Sequence, residues 1–356
     1  MKFRFCVILP FLFLISCEKN TSKNASKAQR IVGAFQSGVT DFGIVAMIDN
    51  GSFKDTACIG FAHDSVPVTT KNRFCIGSCT KMFTSVIVLK LQEKGLLNIN
   101  DSVYHYIPKH PWIDSTITIK QLLNHTSGIT EFLKHGLQNE PLLNPDGDFS
   151  NTVLYSKIDT MDFEKGTRYE YCNTNYFLLS KIIEKASDKS YEMNLQELII
   201  EPLGLKNTFP YYSNTIEYLA HPMIDGQDLH TYPKLPTNVL TQGSGNVVCD
   251  VYDLNAFIRA LIIDQTLLTP KSLDLMTSFY HYEKTKSGLG LFEKNEQNRI
   301  LLGHTGRAIS YITYAFADPG TGESFIVMNN NANDEVIDSV FEKLITKDDP
   351  VHGKNN

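Results

Sequence analysis

Ser78-Cys79-Thr80-Lys81 sets a hydroxyl and an amine three residues apart at the head of a helical pattern. Side chains at i and i+3 of a helix face the same way, one turn apart, and the first turn favours negative charge. A lysine desolvated there loses affinity for its proton and can accept one from the serine. The chemistry on offer is attack on a carbonyl by an activated hydroxyl. Alone the pattern is weak: Ser16-Cys17-Glu18-Lys19 also matches it, and Ser78 by itself reads equally well as a helix-capping serine.

Partners follow along the chain. Tyr171-Cys172-Asn173 joins a phenol able to relay protons to an amide able to bind a carbonyl. Tyr212-Ser213-Asn214 repeats the pattern in a polar stretch after Pro210, whereas Tyr171 leads directly into a strong helical pattern over 175–186. A rigid element holds a reacting group better than a loop does, which favours Tyr171. His304-Thr305-Gly306 closes an apolar strand over 299–302, where backbone can run beside a substrate.

These motifs occur together with Phe74-Cys75-Ile76-Gly77-Ser78, Leu122-Leu123-Asn124-His125-Thr126-Ser127-Gly128-Ile129 and Glu201-Pro202-Leu203-Gly204-Leu205-Lys206-Asn207-Thr208. In order and spacing the chain resembles the serine β-lactamase-related family over about residues 40–330. That family includes class C β-lactamases, D-alanyl-D-alanine carboxypeptidases of the penicillin-binding group, and related serine esterases. The resemblance implies that Ser78 forms an acyl-enzyme, with Lys81 and Tyr171 sharing base and acid roles, and that Asn173 holds the substrate amide. It also implies an oxyanion hole of the Ser78 and Arg307 backbone N–H groups, with His304, Thr305 and Gly306 along the substrate. No cofactor is implied.

Several positions depart from the family pattern. His304 stands where β-lactamases usually have Lys, Arg307 where a small residue is common, Lys165-Gly166 for Pro-Gly, and Cys249 for Ser. They weaken the expectation of β-lactam hydrolysis more than that of acyl-enzyme formation. The expected substrate is a D-amino-acid peptide, an ester or a β-lactam, with a peptidoglycan stem peptide as one source. The alternative is a penicillin-binding-like receptor that acylates and stalls. His125 to Gly128 reads as a structural helix end, Gly243-Ser244-Gly245 as a loop near the pocket, and Asp250 as a helix cap with Asp253 three residues on.

The elements that must position these residues are legible from patterning. Residues 42–48 and 53–61 read as strands around the Asp49-Asn50-Gly51 turn. Residues 80–94 read as a helix ending at Gly95. Short helices fill about 96–240, including 175–186 and 191–200. Strand patterns return at 288–292, 299–302, 309–317 and 325–329, and an amphipathic helix covers 336–345. The expected fold is α+β: an antiparallel sheet built from both ends of the chain, flanked by helices, with a mainly helical insertion.

Composition excludes other classes. Among 356 residues, 33 Lys+Arg against 39 Asp+Glu give a net charge of −6, with no basic cluster of the kind nucleic-acid binding needs. No metal, nucleotide or α/β-hydrolase motif is present, and the seven cysteines form no C-x-x-C. At the N-terminus, Lys2 and Arg4 precede an apolar run over 5–15 that suits a secretory leader and is short of the ~20 residues a membrane span requires. Leu14-Ile15-Ser16-Cys17 resembles a bacterial lipobox, which makes Cys17 the expected lipidation site. The expected organisation is a leader over 1–16, the lipidated Cys17 and a polar tether over 17–29, a catalytic domain over 30–346, and a polar tail over 347–356. Such a chain is exported and held on the cell envelope, with the outer membrane weakly favoured.

Overall fold

Gly43–Asp49 (β1) is buried along its whole length because both faces of the sheet are covered. Ile44, Ala46 and Ile48 pack on one side, and Val45 and Met47 on the other, the alternation a strand imposes. The computed structural model describes residues 25–39, 41–133, 140–144, 146–211, 216–231, 234–282 and 285–347. The leader, Cys17, Tyr212-Ser213-Asn214 and the tail beyond residue 347 lie outside them.

The remaining strands are β2 (Lys54–His63), β3 (Val66–Pro67), β4 (Phe74–Cys75), β5 (Phe209–Pro210), β6 (Met223–Ile224), β7 (Gln227–Asp228), β8 (Val247–Cys249), β9 (Tyr280–Tyr282), β10 (Thr285–Ser287), β11 (Phe292–Glu296), β12 (Arg299–Ala308), β13 (Tyr311–Asp318) and β14 (Glu323–Asn329). The main sheet runs β3-β2-β1-β14-β13-β12-β11-β10-β9. Its centre joins the two ends of the chain, with β1 antiparallel to β14 from Ile44↔Asn329 to Asp49↔Ser324. β4-β8-β5 and β6-β7 form two small sheets.

The helices are α1 (Lys27–Gly33), α2 (Thr80–Glu93), α3 (Ile119–Leu123), α4 (Glu140–Leu143), α5 (Asn151–Ser156), α6 (Asn173–Ser187), α7 (Tyr191–Leu195), α8 (Glu201–Leu203), α9 (Lys234–Leu240), α10 (Val251–Ile258), α11 (Pro270–Met276) and α12 (Asp334–Ile345). α1 and α12 cover one face of the sheet with Val32, Ile337, Val340 and Phe341. α2, buried from Thr80 to Leu89, runs through the core on the other side and packs on α6. The fold is therefore the α+β arrangement expected, with a largely helical region between β4 and β8.

Two expectations need correction. The tether read over 17–29 stops short, because Lys27 to Gln29 belong to α1. Ser26 Oγ accepts the Gln29 N–H while Gln29 Oε1 accepts the Ser26 N–H, a reciprocal cap, and Ala28 and Val32 are fully buried. The strand read over 288–292 is a turn as far as Leu291. Gly290 adopts φ +79°, and a Cβ there would sit 2.1 Å from Ser85 Oγ; β11 begins only at Phe292.

Candidate active site

Ser78 lies in a tight turn, Gly77–Cys79, that runs straight into α2. A Cβ on Gly77, which has φ +51°, would meet the Arg307 backbone N at 2.5 Å; one on Gly306 would meet the Ile76 carbonyl O at 1.8 Å. The two glycines let the serine turn and strand β12 meet backbone to backbone. Pairing of β12 with β11 ends at Phe292↔Gly303, whereas pairing with β13 continues to Ala308↔Tyr311. Beyond Gly303, one edge of β12 is left to the cleft. The alternation of an antiparallel ladder turns the N–H groups of Thr305 and Arg307 toward it.

Lys81, one turn into α2, is fully buried. Its Nζ donates to Ser78 Oγ at 3.0 Å, Asn173 Oδ1 at 2.8 Å and the Ser244 carbonyl O at 2.8 Å, which uses all three ammonium donors. Burial lowers its pKa to about 7, against the opposing pull of Glu131. The rings of Tyr171 and Tyr176 flank the amine at 4.7 and 5.3 Å.

Tyr171 precedes α6 by two residues and hydrogen-bonds Ser78 through its side chain; burial pushes its phenol well above the ordinary tyrosine range. Its ring stacks on His125, with centroids 4.6 Å apart and planes 29° apart. His125 is buried with φ +60°, and its Nδ1 accepts the Cys172 N–H at 3.1 Å. Burial, reinforced by the Lys81 charge, holds this imidazole neutral, well below its usual pKa.

The sequence reading missed Glu131. Its Oε2 accepts from both the backbone N–H and Nδ2 of Asn173, the latter at 3.0 Å, and its Oε1 accepts the Leu133 N–H at 2.9 Å. The residue before α6, Cys172, makes no side-chain cap, so the helix takes an acceptor from elsewhere in the chain. A helix starting Tyr-Cys-Asn with no cap of its own was the available signal. Asn173, expected to hold the substrate amide, is here gripped between Lys81 and Glu131. The Gly243-Ser244-Gly245 loop lies at the pocket as expected, and supplies the Ser244 carbonyl to Lys81.

His304 is buried against Phe292, with ring centroids 4.5 Å apart. Burial is the main cause that lowers its pKa to about 3, and the Lys81 charge adds to it. The imidazole is thus neutral and carries no charge to a substrate carboxylate. Arg307 pairs with Asp334 through its exposed guanidinium, and both residues line the cleft. Asp250 caps α10 by accepting the Asp253 N–H at 2.8 Å. Cys79 and Cys172 are buried, with Sγ within 3.3 Å of the His304 carbonyl O and 3.4 Å of the Ile129 carbonyl O, and burial raises both thiols.

Ser78 and Arg307 stand where two cavities meet. The larger, about 570 Å³, is lined by Tyr171, His304, Thr305 and Gly306; the smaller, about 300 Å³, by Asn173, Ser244 and a set of apolar side chains. The structure thus brings together Ser78, Lys81, Tyr171, Asn173, His304, Thr305, Gly306 and Arg307. Among the described residues no group of His, Cys, Asp and Glu is arranged to hold a metal ion.

Residues 23–344 match the family model described as Beta-lactamase. Penicillin-binding protein 4* of Bacillus subtilis (strain 168) is 27% identical over 327 residues, covering 86% of this chain and 70% of that protein. Protein flp of Staphylococcus aureus (strain MW2) is 24% identical over 293 residues, covering 79% of this chain; the aligned region spans 57% of that relative's length. Among solved structures, a D-stereospecific amidohydrolase from Streptomyces sp. superposes with TM-score 0.76 at 24% identity, covering 89% of this chain and 98% of the other. D-amino acid amidase from Ochrobactrum anthropi SV3 gives TM-score 0.76 at 23% identity, with the same coverage. These two similarities establish the fold.

Proposed function

The chain belongs to the Beta-lactamase family, and from that membership and the geometry at Ser78 we propose that it is a serine hydrolase working through an acyl-enzyme on Ser78. The observation that carries the proposal is the 3.0 Å contact of Lys81 Nζ with Ser78 Oγ, made by an amine whose pKa is lowered to about 7. Neutral Lys81 takes the Ser78 proton as Oγ attacks the carbonyl carbon. The backbone N–H groups of Ser78 and Arg307 receive the oxyanion; losing such a donor costs about 10²–10³ in rate. Tyr171, whose phenol stays protonated, passes a proton to the departing nitrogen or oxygen and is recharged from Lys81. Water then attacks the acyl carbon, its proton returns through the same pair, and Ser78 is released.

The substrate we propose is an amide or ester of a D-amino-acid peptide type, or a β-lactam. The fold likeness to a D-amino acid amidase and a D-stereospecific amidohydrolase supports the first of these, and any cation opposite a substrate carboxylate comes from Lys286, Lys294 or Arg307 of the larger cavity rather than from neutral His304. A chromogenic β-lactam, a D-aminoacyl amide and a nitrophenyl ester, each offered to wild type and Ser78→Ala, test the reading. Turnover lost in Ser78→Ala is expected, and turnover that survives it overturns the mechanism. A stable adduct without turnover identifies the stalled receptor instead.

We further propose export and lipidation at Cys17, from the leader and the lipobox-like Leu14-Ile15-Ser16-Cys17, with action in the cell envelope. Mass spectrometry of the mature N-terminus checks it: a diacylated Cys17 is expected, and an unmodified one contradicts it.

A further inference from the structure

The two halves of the cleft are chemically unlike. Tyr171, the proton donor to the leaving group, lines the larger half and not the smaller; Asn173 lines the smaller and not the larger. A leaving group protonated by Tyr171 departs through the larger half, so the acyl portion of the substrate extends into the smaller. Beside Thr237 and Thr241, that half is walled by Leu133, Ile224, Leu229, Leu240 and Ile309.

Two features mark this wall as built for a ligand. Ile309 adopts φ +57° in the two-residue turn between β12 and β13. A β-branched residue rarely takes that conformation, and Asn or Gly would take it without strain. Strain of this kind persists where the side chain is needed, and Ile309 faces the cavity. Ile224 and Leu229 come from the β6–β7 hairpin, which stands over the cavity with Ile224 38% exposed. An apolar occupant would cover that surface.

The hairpin is held at its base. His221, just before β6, and His230, just after β7, stack with centroids 4.0 Å apart, and His63 of β2 stacks on the far side of His221 at 4.2 Å. Asp228 Oδ2 lies 2.7 Å from His221 Nδ1, and the Met223 N–H donates to the Asn330 carbonyl O at 2.7 Å. The column of three rings ties the wall to β2 of the main sheet.

We propose that the smaller cavity is an acyl-side specificity site for an aliphatic or aromatic side chain, with Ile224, Leu229 and Ile309 as its determinants and His221 as the residue that positions the hairpin. The inference rests on the acyl-enzyme reading of Ser78. It is tested on the full chain with p-nitrophenyl acetate, butyrate and hexanoate, measuring both the burst of nitrophenolate and kcat/KM. Burying a methylene is worth up to about fourfold, so the wild type is expected to prefer hexanoate to acetate by at least about tenfold. Ile224→Ser and Leu229→Ser flatten the series, with folding checked by thermal melting. His221→Ala, or the more exposed His230→Ala, raises KM for hexanoate several-fold while kcat for hexanoate holds, a split that a general loss of structure would not give. A flat wild-type series with an intact burst of one per site overturns the specificity site and leaves the acyl-enzyme standing. Ester turnover undiminished in Ser78→Ala overturns the acyl-enzyme reading and this inference with it.

Discussion

The imidazole of His125 lies flat against the phenol ring of Tyr171, centroids 4.6 Å apart, while its Nδ1 accepts the backbone N–H of Cys172. One buried residue of the 119–129 segment thus packs against the Tyr171 ring and pairs with the backbone at the start of the helix behind it. His125→Ala removes the stacking partner and leaves a buried N–H unpaired, a loss of about 1–3 kcal/mol in stability. The expected result is a lower Tm, and a kcat that falls further than KM rises. A variant with wild-type kcat would show that Tyr171 needs no such support.

The pH profile follows from Lys81. Only its neutral form accepts the Ser78 proton, and its folded pKa is lowered to about 7. Activity therefore rises with pH through about 7 and levels off above it. Glu131 raises the lysine pKa, so Glu131→Gln moves this ascending limb to lower pH. Lys81→Arg, always protonated, shows no limb and almost no activity at any pH. His304, lowered to about 3, contributes no limb between pH 5 and 9; kcat/KM measured across that range checks all three statements.

Gly306 is the contact point of the two backbones proposed to form the oxyanion hole. A Cβ there would lie 1.8 Å from the Ile76 carbonyl O and 3.1 Å from the Cys79 backbone N. Gly306→Ala must push β12 away from the serine turn, and kcat/KM is expected to fall by about 10²–10³. Retention of the ester burst at wild-type rate would contradict the placement of the Arg307 N–H.

Cys58, Cys75, Cys79, Cys172 and Cys249 carry thiols raised by burial, Cys58 to about 11 and Cys75 to about 12. Thiolate is the reactive form. Iodoacetamide at pH 8 is therefore expected to leave these five unlabelled and the activity intact, and to label all five once the chain is unfolded. Rapid inactivation traced to Cys79 or Cys172 would contradict the burial.

Strand and helix patterning made the sheet from both chain ends legible, because β1 and β14 alternate between two apolar faces and α12 repeats its apolar stripe at helical spacing. Short-range motifs made Ser78, Lys81 and Tyr171 legible for the same reason: the S-x-x-K spacing and the approach to α6 are local. Glu131 and the Ser244 carbonyl were not, since each reaches the site across the fold, 42 residues from Asn173 and 163 from Lys81. Patterning also missed the left-handed turn at Gly290, where Ser85 of α2 comes so close that no side chain fits. His304, read at the close of a strand over 299–302, lies inside the longer β12, and its imidazole is neutral because it is buried in the folded chain.

The proposed reaction passes through a covalent bond between Ser78 Oγ and the substrate carbonyl carbon. Rapid acid quench of the full chain with p-nitrophenyl acetate, followed by intact-mass and peptide-mass analysis, tests it directly. One added acetyl group is expected, on the peptide containing Ser78 in wild type and absent from Ser78→Ala. Ester turnover undiminished in Ser78→Ala would contradict it.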